Sequence, residues 1–289
     1  MYNNLLVKDI KFSYGQSNIL SNINFNCGNG VIALLGNNGA GKTTLMNILS
    51  GLKKVSHGQV LLNDIELLKN RKYIVDNVGY LPQNFDVFKQ VTGYDFLSYV
   101  YDVKNLNVND KKSYIDDIVY RFNLNEMIKK PVGKYSGGYK KRLGIAQAII
   151  GDPKLIIVDE PTAELDPEQR LEFRRYLQEL GNNKIIIIST HIIEDVELYC
   201  SKLIILKKGE IIFDGTPDNA IKIASRHIFE KRLTLSELNK FQYMYKIIEE
   251  RRIENDYIKV KFIADAYDSL ESLSKGGVTL ENAYIYHQK

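Results

Sequence analysis

The 289-residue chain reads as an α/β fold built on a mainly parallel central sheet, and three observations predict it. Aliphatic runs at Leu155-Ile156-Ile157-Val158, Ile185-Ile186-Ile187-Ile188 and Leu203-Ile204-Ile205-Leu206 alternate with helical segments, the pattern of strands buried on both faces. Another apolar run, Val31 to Leu35, feeds directly into Gly36-Asn37-Asn38-Gly39-Ala40-Gly41-Lys42-Thr43, which fits GxxxxGK[ST] in full. Helical spacing resumes at once with Thr44-Leu45-Met46-Asn47-Ile48-Leu49, so strand, glycine loop and helix follow in the order this pattern needs.

Ahead of that core, Leu6-Val7, Ile10 with Phe12 and Tyr14, and Ile23 with Phe25 read as short alternating strands of an antiparallel layer, separated by Gly and Asn turns. After the loop and its helix, Gly58 to Asp64 reads as a strand entering a turn, and Val78 to Leu81 as a buried strand. Helical periodicity takes over from 92 to 150. Phe96, Val100, Ile115, Ile118, Val119, Phe122 and Leu124 supply the inner faces, Pro131 and Gly133 break the run, and a further helix starts near Ser136. Helices at 167–180 and 191–199 separate the last three aliphatic strands. Gly215-Thr216-Pro217-Asp218 is a turn and a domain boundary. Beyond it Ile228-Phe229, a helix from Ser236 to Tyr245, Ile247 to Arg251 and Tyr257 to Ile263 form a small α+β appendage. The expected organisation is a nucleotide-binding domain over 1–218, with a helical subdomain at about 84–150, and an accessory domain over 219–289.

The glycine loop carries the chemistry. Glycines let backbone N–H groups curl around the β- and γ-phosphates of a nucleotide, and the helix N-terminus adds partial positive charge. Lys42 adds a full charge, and Thr43 offers a hydroxyl to Mg²⁺. The strand Leu155 to Val158 ends in Asp159-Glu160, which puts one carboxylate beside that metal and leaves a second to polarise an attacking water.

With these two constellations the chain resembles the ATP-binding cassette family of P-loop NTPases, because the remaining motifs appear in family order across residues 1 to about 218. The resemblance assigns Tyr14, in Phe12-Ser13-Tyr14-Gly15, to adenine stacking, with the phosphates cradled by Gly36 to Thr44. Gln83, in Tyr80-Leu81-Pro82-Gln83, matches the glutamine that touches Mg²⁺ and water. Ser136, Gly137 and Gly138, in Tyr135-Ser136-Gly137-Gly138-Tyr139, match the signature loop, and Asp166, in Ala163-Glu164-Leu165-Asp166, the dimer-contacting loop. His191 matches the switch histidine. Glu160, His191, Gln83 and Lys42 are then the catalytic residues, Thr43, Gln83 and Asp159 the metal ligands, and ATP and Mg²⁺ the ligands. Plainer readings stand beside these. Tyr14 also fits packing on the sheet, Gln83 a simple turn, His191 a helix cap and Ser136 an N-cap. The signature departs from Leu-Ser-Gly-Gly-Gln at Tyr135 and Tyr139, which keeps the Ser-Gly-Gly core and points to slower or differently regulated turnover.

In this family the signature loop binds the γ-phosphate held by an opposite subunit, so one phosphate loop and one signature per chain imply a homo- or heterodimer. The appendage is similar to those of bacterial drug or antibiotic-peptide exporters, with Leu280 to Tyr286 near its end. That implies an exporter ATPase working through a permease on a separate polypeptide, which docks at the surface carrying Phe85, Phe88, Tyr94, Phe96 and Tyr99. A soluble cassette ATPase acting on ribosomes or DNA, and a regulatory ATPase, are the alternatives.

Bulk properties agree. A hydrophobic content of 44% supports a packed core, and no apolar run approaches the roughly 20 residues that cross a bilayer. No charged-then-apolar leader opens the sequence, so the expected location is the cytoplasm, on the inner face of the membrane through the permease. Cys27 and Cys200 read as buried reduced thiols. Net charge is +4, and residues 222–289 hold 12 Lys or Arg against 10 Asp or Glu, so no nucleic-acid partner is expected. Lys129, Lys130, Lys134, Lys140, Lys141 and Arg142 cluster without an acid from 127 to 151, which fits either a solvated helix face or an anion site.

Overall fold

The computed structural model describes residues 2–106, 110–162, 165–254, 256–265 and 277–289. The chain forms two compact units, Met1–Ile211 and Ile212–Lys289.

In the first unit, the expected short strands are joined into two long ones. β1 (Asn4–Tyr14) pairs antiparallel with β2 (Ser17–Gly28), and on its other side with β4 (His57–Leu62), which also pairs with the two-residue β5 (Ile65–Glu66). The apolar alternation slips by one residue between Val7 and Ile10, and the register shifts there. Asp9 and Asn22 adopt φ of 50° and 55°, a left-handed conformation that Asp and Asn tolerate, so the bulge keeps Leu5, Val7 and Ile10 on one buried face.

The central sheet is parallel, with β3 (Gly30–Leu35) between β8 (Ile185–Ser189) and β9 (Lys202–Lys207), followed by β7 (Leu155–Asp159) and β6 (Val78–Leu81). Every residue of β7 and β8 is buried, as their aliphatic sequences require. α1 (Lys42–Leu49) buries Leu45, Met46, Ile48 and Leu49 in the cluster that also holds Leu5, Val7 and Val60. A short α2 (Arg71–Asn77) precedes β6.

The helical segment contains α3 (Gly93–Val103), α4 (Lys111–Arg121) and α5 (Gly137–Ile149), N-capped by Thr92, Asp110 and Ser136. Ile115, Ile118, Val119, Phe122 and Leu124 are buried as expected. α3 is turned by one residue from the expected face: Leu97 and Tyr101 point inward, while Phe96 and Val100 are half-buried. α6 (Pro167–Gly181) begins on an Asp166 cap, and α7 (Ile193–Tyr199) begins two residues after His191.

β10 (Glu210–Gly215) carries the chain into the second unit. The expected turn at 215–218 is a helix start, with Thr216 as N-cap and Pro217 in the first turn of α8 (Pro217–Ala224). β11 (Ile228–Thr234), α9 (Leu235–Met244), β12 (Lys246–Glu254) and β13 (Tyr257–Ile263) follow, then α10 (Leu280–His287). The sheet order is β11-β13-β12, with Phe229, Leu233, Phe241, Val260 and Phe262 as its core. Thr234 and Glu237 close a capping box on α9.

Candidate functional site

The glycine loop leaves β3 at Gly36, where a Cβ would lie 2.6 Å from the Leu206 carbonyl, so only glycine fits. Gly39 and Gly41 turn the loop at φ of 80° and 106°. Gly41 is the N-cap of α1 and no side chain among the described residues caps that helix, so the N–H groups of its first turn face the loop. Ala40 is buried, its carbonyl accepting from the Gly209 amide at 3.1 Å, while Asn37, Asn38 and Gly39 are exposed. Lys42 folds back over the loop, donating from Nζ to Gly36 O at 2.7 Å and Asn37 O at 3.3 Å. Burial pushes its pKa below the usual lysine value, and the carboxylates of Glu160 and Asp159 pull the other way.

The two acids at the end of β7 diverge. Asp159 is 1% exposed; its Oδ1 accepts from Ser189 Oγ, and its Oδ2 is buried with no partner among the described residues. An orphaned, buried carboxylate oxygen is costly unless something else satisfies it. The Thr43 hydroxyl and the Gln83 amide line one cleft, and the oxygens of these two groups and of Asp159 are of the kind that suits a hard cation such as Mg²⁺. Glu160 sits at φ 48°, so its backbone turns out of the strand. Its amide donates to Ser189 Oγ at 2.9 Å, its Oε2 accepts from Gln83 Nε2 at 2.9 Å, and its Oε1 lies 3.7 Å from His191 Nδ1. His191 does not cap a helix: α7 starts from Ile192 without a side-chain cap.

A cleft of about 450 Å³ gathers Asn38, Gly39, Gly41, Lys42, Thr43, Thr44, Gln83 and Glu160 with Ile19. Tyr14 is outside this lining; it is 49% exposed, edge-on to Phe12 at 4.9 Å with the Lys53 ammonium 4.8 Å from its ring centre. Ser136, Gly137, Gly138 and Asp166 also lie outside it. Ser136 Oγ accepts from the Tyr139 amide at 3.4 Å, and Asp166 Oδ1 accepts from the Gln169 amide at 2.9 Å, so each caps its helix. A Cβ on Gly138 would come within 2.6 Å of Gln169 Oε1, so the starts of α5 and α6 are neighbours. Ala163 and Glu164 fall outside the described residues.

Both departures in the signature have local partners. Tyr135 is buried and donates to Met127 O at 2.8 Å. Tyr139 reaches Glu126 Oε2 at 3.3 Å, and the Arg142 guanidinium lies 5.1 Å from its ring centre. The basic cluster is not merely a solvated face. Lys140 pairs with Asp86 at 3.2 Å, Arg142 with Glu172 at 2.5 Å, and Lys141 donates to two main-chain carbonyls. Both cysteines are free and buried, and burial pushes the Cys200 thiol far up, away from nucleophilic use.

Sequence reasoning missed Ser189, which holds both acids at once, and Ile19, which lines the cleft. The only signal for Ser189 was the abrupt end of the isoleucine run two residues before His191.

The ABC transporter family model matches residues 20–163. An uncharacterized ABC transporter ATP-binding protein, YxlF of Bacillus subtilis, is 35% identical over 212 residues, which cover 73% of this chain and 70% of that protein. ABC transporter A family member 5 of Arabidopsis thaliana is 33% identical over 186 residues, 64% of this chain but only 20% of its own length. Among solved structures, an ATP binding subunit of an ABC transporter superposes with a TM-score of 0.69 at 27% identity, over 75% of this chain and 91% of that one. The cassette MJ0796, dimeric in a post-hydrolysis state bound to ADP and Pi, superposes with a TM-score of 0.66 over 73% of this chain and 98% of its own. At 22% identity, that second likeness shows the fold.

Proposed function

The chain belongs to the ABC transporter family, and on that premise we propose that it is the ATP-hydrolysing subunit of an exporter whose membrane spans are on a separate polypeptide. The observation that carries the catalytic reading is the single cleft joining Lys42 and Thr43 to Gln83 and Glu160; Asp159, the residue before Glu160, adds a buried carboxylate oxygen with no partner among the described residues.

In this reading the loop amides and Lys42 hold the β- and γ-phosphates of ATP. Thr43, Asp159 and Gln83 would hold Mg²⁺, which when bound neutralises charge developing on the phosphates. Glu160 accepts a proton from the attacking water; Gln83 fixes the carboxylate from one side, with His191 near its other oxygen. Tyr14 is proposed to stack on the base, a contact that tolerates any base; its exposure leaves the ring accessible.

Ser136, Gly137, Gly138 and Asp166 are proposed to complete the site of a second subunit. Their separation from the cleft of their own chain supports this, since an N-capped helix start with two glycines is an anion site looking for an anion elsewhere. The dimeric MJ0796 provides a precedent of the same fold. Closing on ATP and parting after hydrolysis would make the nucleotide a switch between two states. Size-exclusion chromatography with light scattering checks this: Glu160→Gln protein is expected to run as a dimer with ATP and as a monomer without it. A monomer under both conditions would remove the composite site.

No helix among the described residues is long and apolar enough to cross a membrane. A groove of about 920 Å³ beside α3, lined by Val87, Phe88, Val91, Phe96 and Tyr99, suits an amphipathic helix of a permease. Phe88 and Tyr99 are 78% and 66% exposed, whereas Phe85 and Phe96 are half-buried and pack on each other at 5.8 Å, Phe96 also forming part of the groove wall. The βαββ order of β11, α9, β12 and β13 supports the exporter resemblance. Recruitment through the permease would put the protein on the inner face of the membrane.

A further inference from the structure

Lys140 and Lys141 follow one another on α5 but fasten to different groups. Lys140 pairs with the Asp86 carboxylate at 3.2 Å. Lys141, half-buried, donates from Nζ to the main-chain carbonyl of Gln83 at 3.2 Å and to that of Glu160 at 3.3 Å. The Gln83 side chain in turn donates to Glu160 Oε2 at 2.9 Å. Lys141, Gln83 and Glu160 therefore close a ring of three hydrogen bonds. The left-handed backbone of Glu160, φ 48°, turns its carbonyl toward the ring while its amide holds Ser189 Oγ.

The three residues come from three different places: α5, the loop after β6, and the end of β7. Hydrophobic packing fixes β7, whose residues are all buried, but Gln83 is exposed in a loop. An ammonium shared by two carbonyls is a charge-assisted tie that a neutral side chain of the same length cannot replace. It also sits five residues after Ser136, on the helix that Ser136 caps.

We propose that Lys141 is a positioning residue for hydrolysis: it holds the Gln83 backbone and the Glu160 backbone in register, so that the Glu160 carboxylate points at its water only when α5 is seated. Lys141 touches no reacting atom and acts through Gln83 and Glu160. The inference rests on the role proposed above for Glu160, and it adds a link by which movement of the helical segment reaches the carboxylate.

The test compares Lys141→Met and Lys141→Arg in the full chain. Methionine keeps the length and apolar stem without the charge, and is expected to lower kcat by about tenfold to a hundredfold, the usual cost of a small misplacement of a catalytic group, with KM for ATP within about twofold. Arginine, which retains donors and charge, is expected to recover at least part of kcat. Amide hydrogen exchange without nucleotide supplies a second reading: the segment 83–86 is expected to exchange faster in Lys141→Met than in the parent chain. Unchanged kcat in Lys141→Met, a parallel loss of ATP affinity and kcat, or no recovery with arginine would overturn the proposal. A parent chain that hydrolyses no ATP would sink the reading of Glu160 instead; the exchange measurement would then still decide the tie, because unchanged exchange at 83–86 removes it.

Discussion

Glu160→Gln is expected to lower kcat for ATP hydrolysis by about 10²–10⁴-fold, the usual contribution of a positioned general base, while ATP affinity stays within about threefold. The substitution is nearly isosteric. A carboxamide oxygen can still accept from Gln83 Nε2, and the backbone contacts to Ser189 and Lys141 do not involve the side chain. What is lost is the ability to take a proton from water. Phosphate release in the steady state gives kcat, and equilibrium titration with a fluorescent ATP analogue gives affinity. Turnover within a few fold of the parent would mean that Glu160 is an ordinary turn residue and that another group activates the water.

Lys42→Ala is expected to weaken ATP binding by about tenfold to a hundredfold, equivalent to removing one charge-assisted hydrogen bond of about 1.5–3 kcal/mol. Lys42 is 7% exposed and its ammonium rests on the carbonyls of Gly36 and Asn37; in the proposed role it exchanges those acceptors for phosphate oxygens. Burial already disfavours the cation there, and the nearby Glu160 and Asp159 restore part of the balance, so an anionic ligand would strengthen what these acids begin. Lys42→Arg is not expected to rescue, because a planar fork does not fit where a compact ammonium is enclosed by the loop. A thermal melt controls for folding. Unchanged affinity in a folded Lys42→Ala protein would remove the phosphate-cradle reading of the loop.

These two sites were legible because their residue types and spacing follow from the chemistry. Glycines at 36, 39 and 41 are demanded by close approach and left-handed turns, and Asp159-Glu160 closes an aliphatic strand that could hardly be anything but buried. The sequence was less informative wherever two readings share one pattern. Phe96, Leu97, Val100 and Tyr101 are all apolar, so the spacing allows two helix phases one residue apart, and packing selected Leu97 and Tyr101. α2 has no fully buried residue and hence no stripe to read. Thr216-Pro217 is equally a turn and a helix start. β1 and β2 looked broken because their bulges shift the alternation. At the site itself, Ser189 accepts from the Glu160 amide and donates to the Asp159 carboxylate, and Lys141 donates to the carbonyls of Gln83 and Glu160; these contacts join residues distant in sequence, so only the fold brings them into view.

The division of labour between this chain and a membrane partner is tested most directly by trapping. Tagged Glu160→Gln protein, held with ATP in its native cells and recovered from detergent-solubilised membranes, is expected to carry with it a polytopic membrane protein at near-stoichiometric yield, and to lose it when ATP is replaced by ADP. Recovery of the protein only as a dimer free of membrane protein, or together with ribosomes or DNA, would contradict the account and assign its ATP cycle to a soluble target.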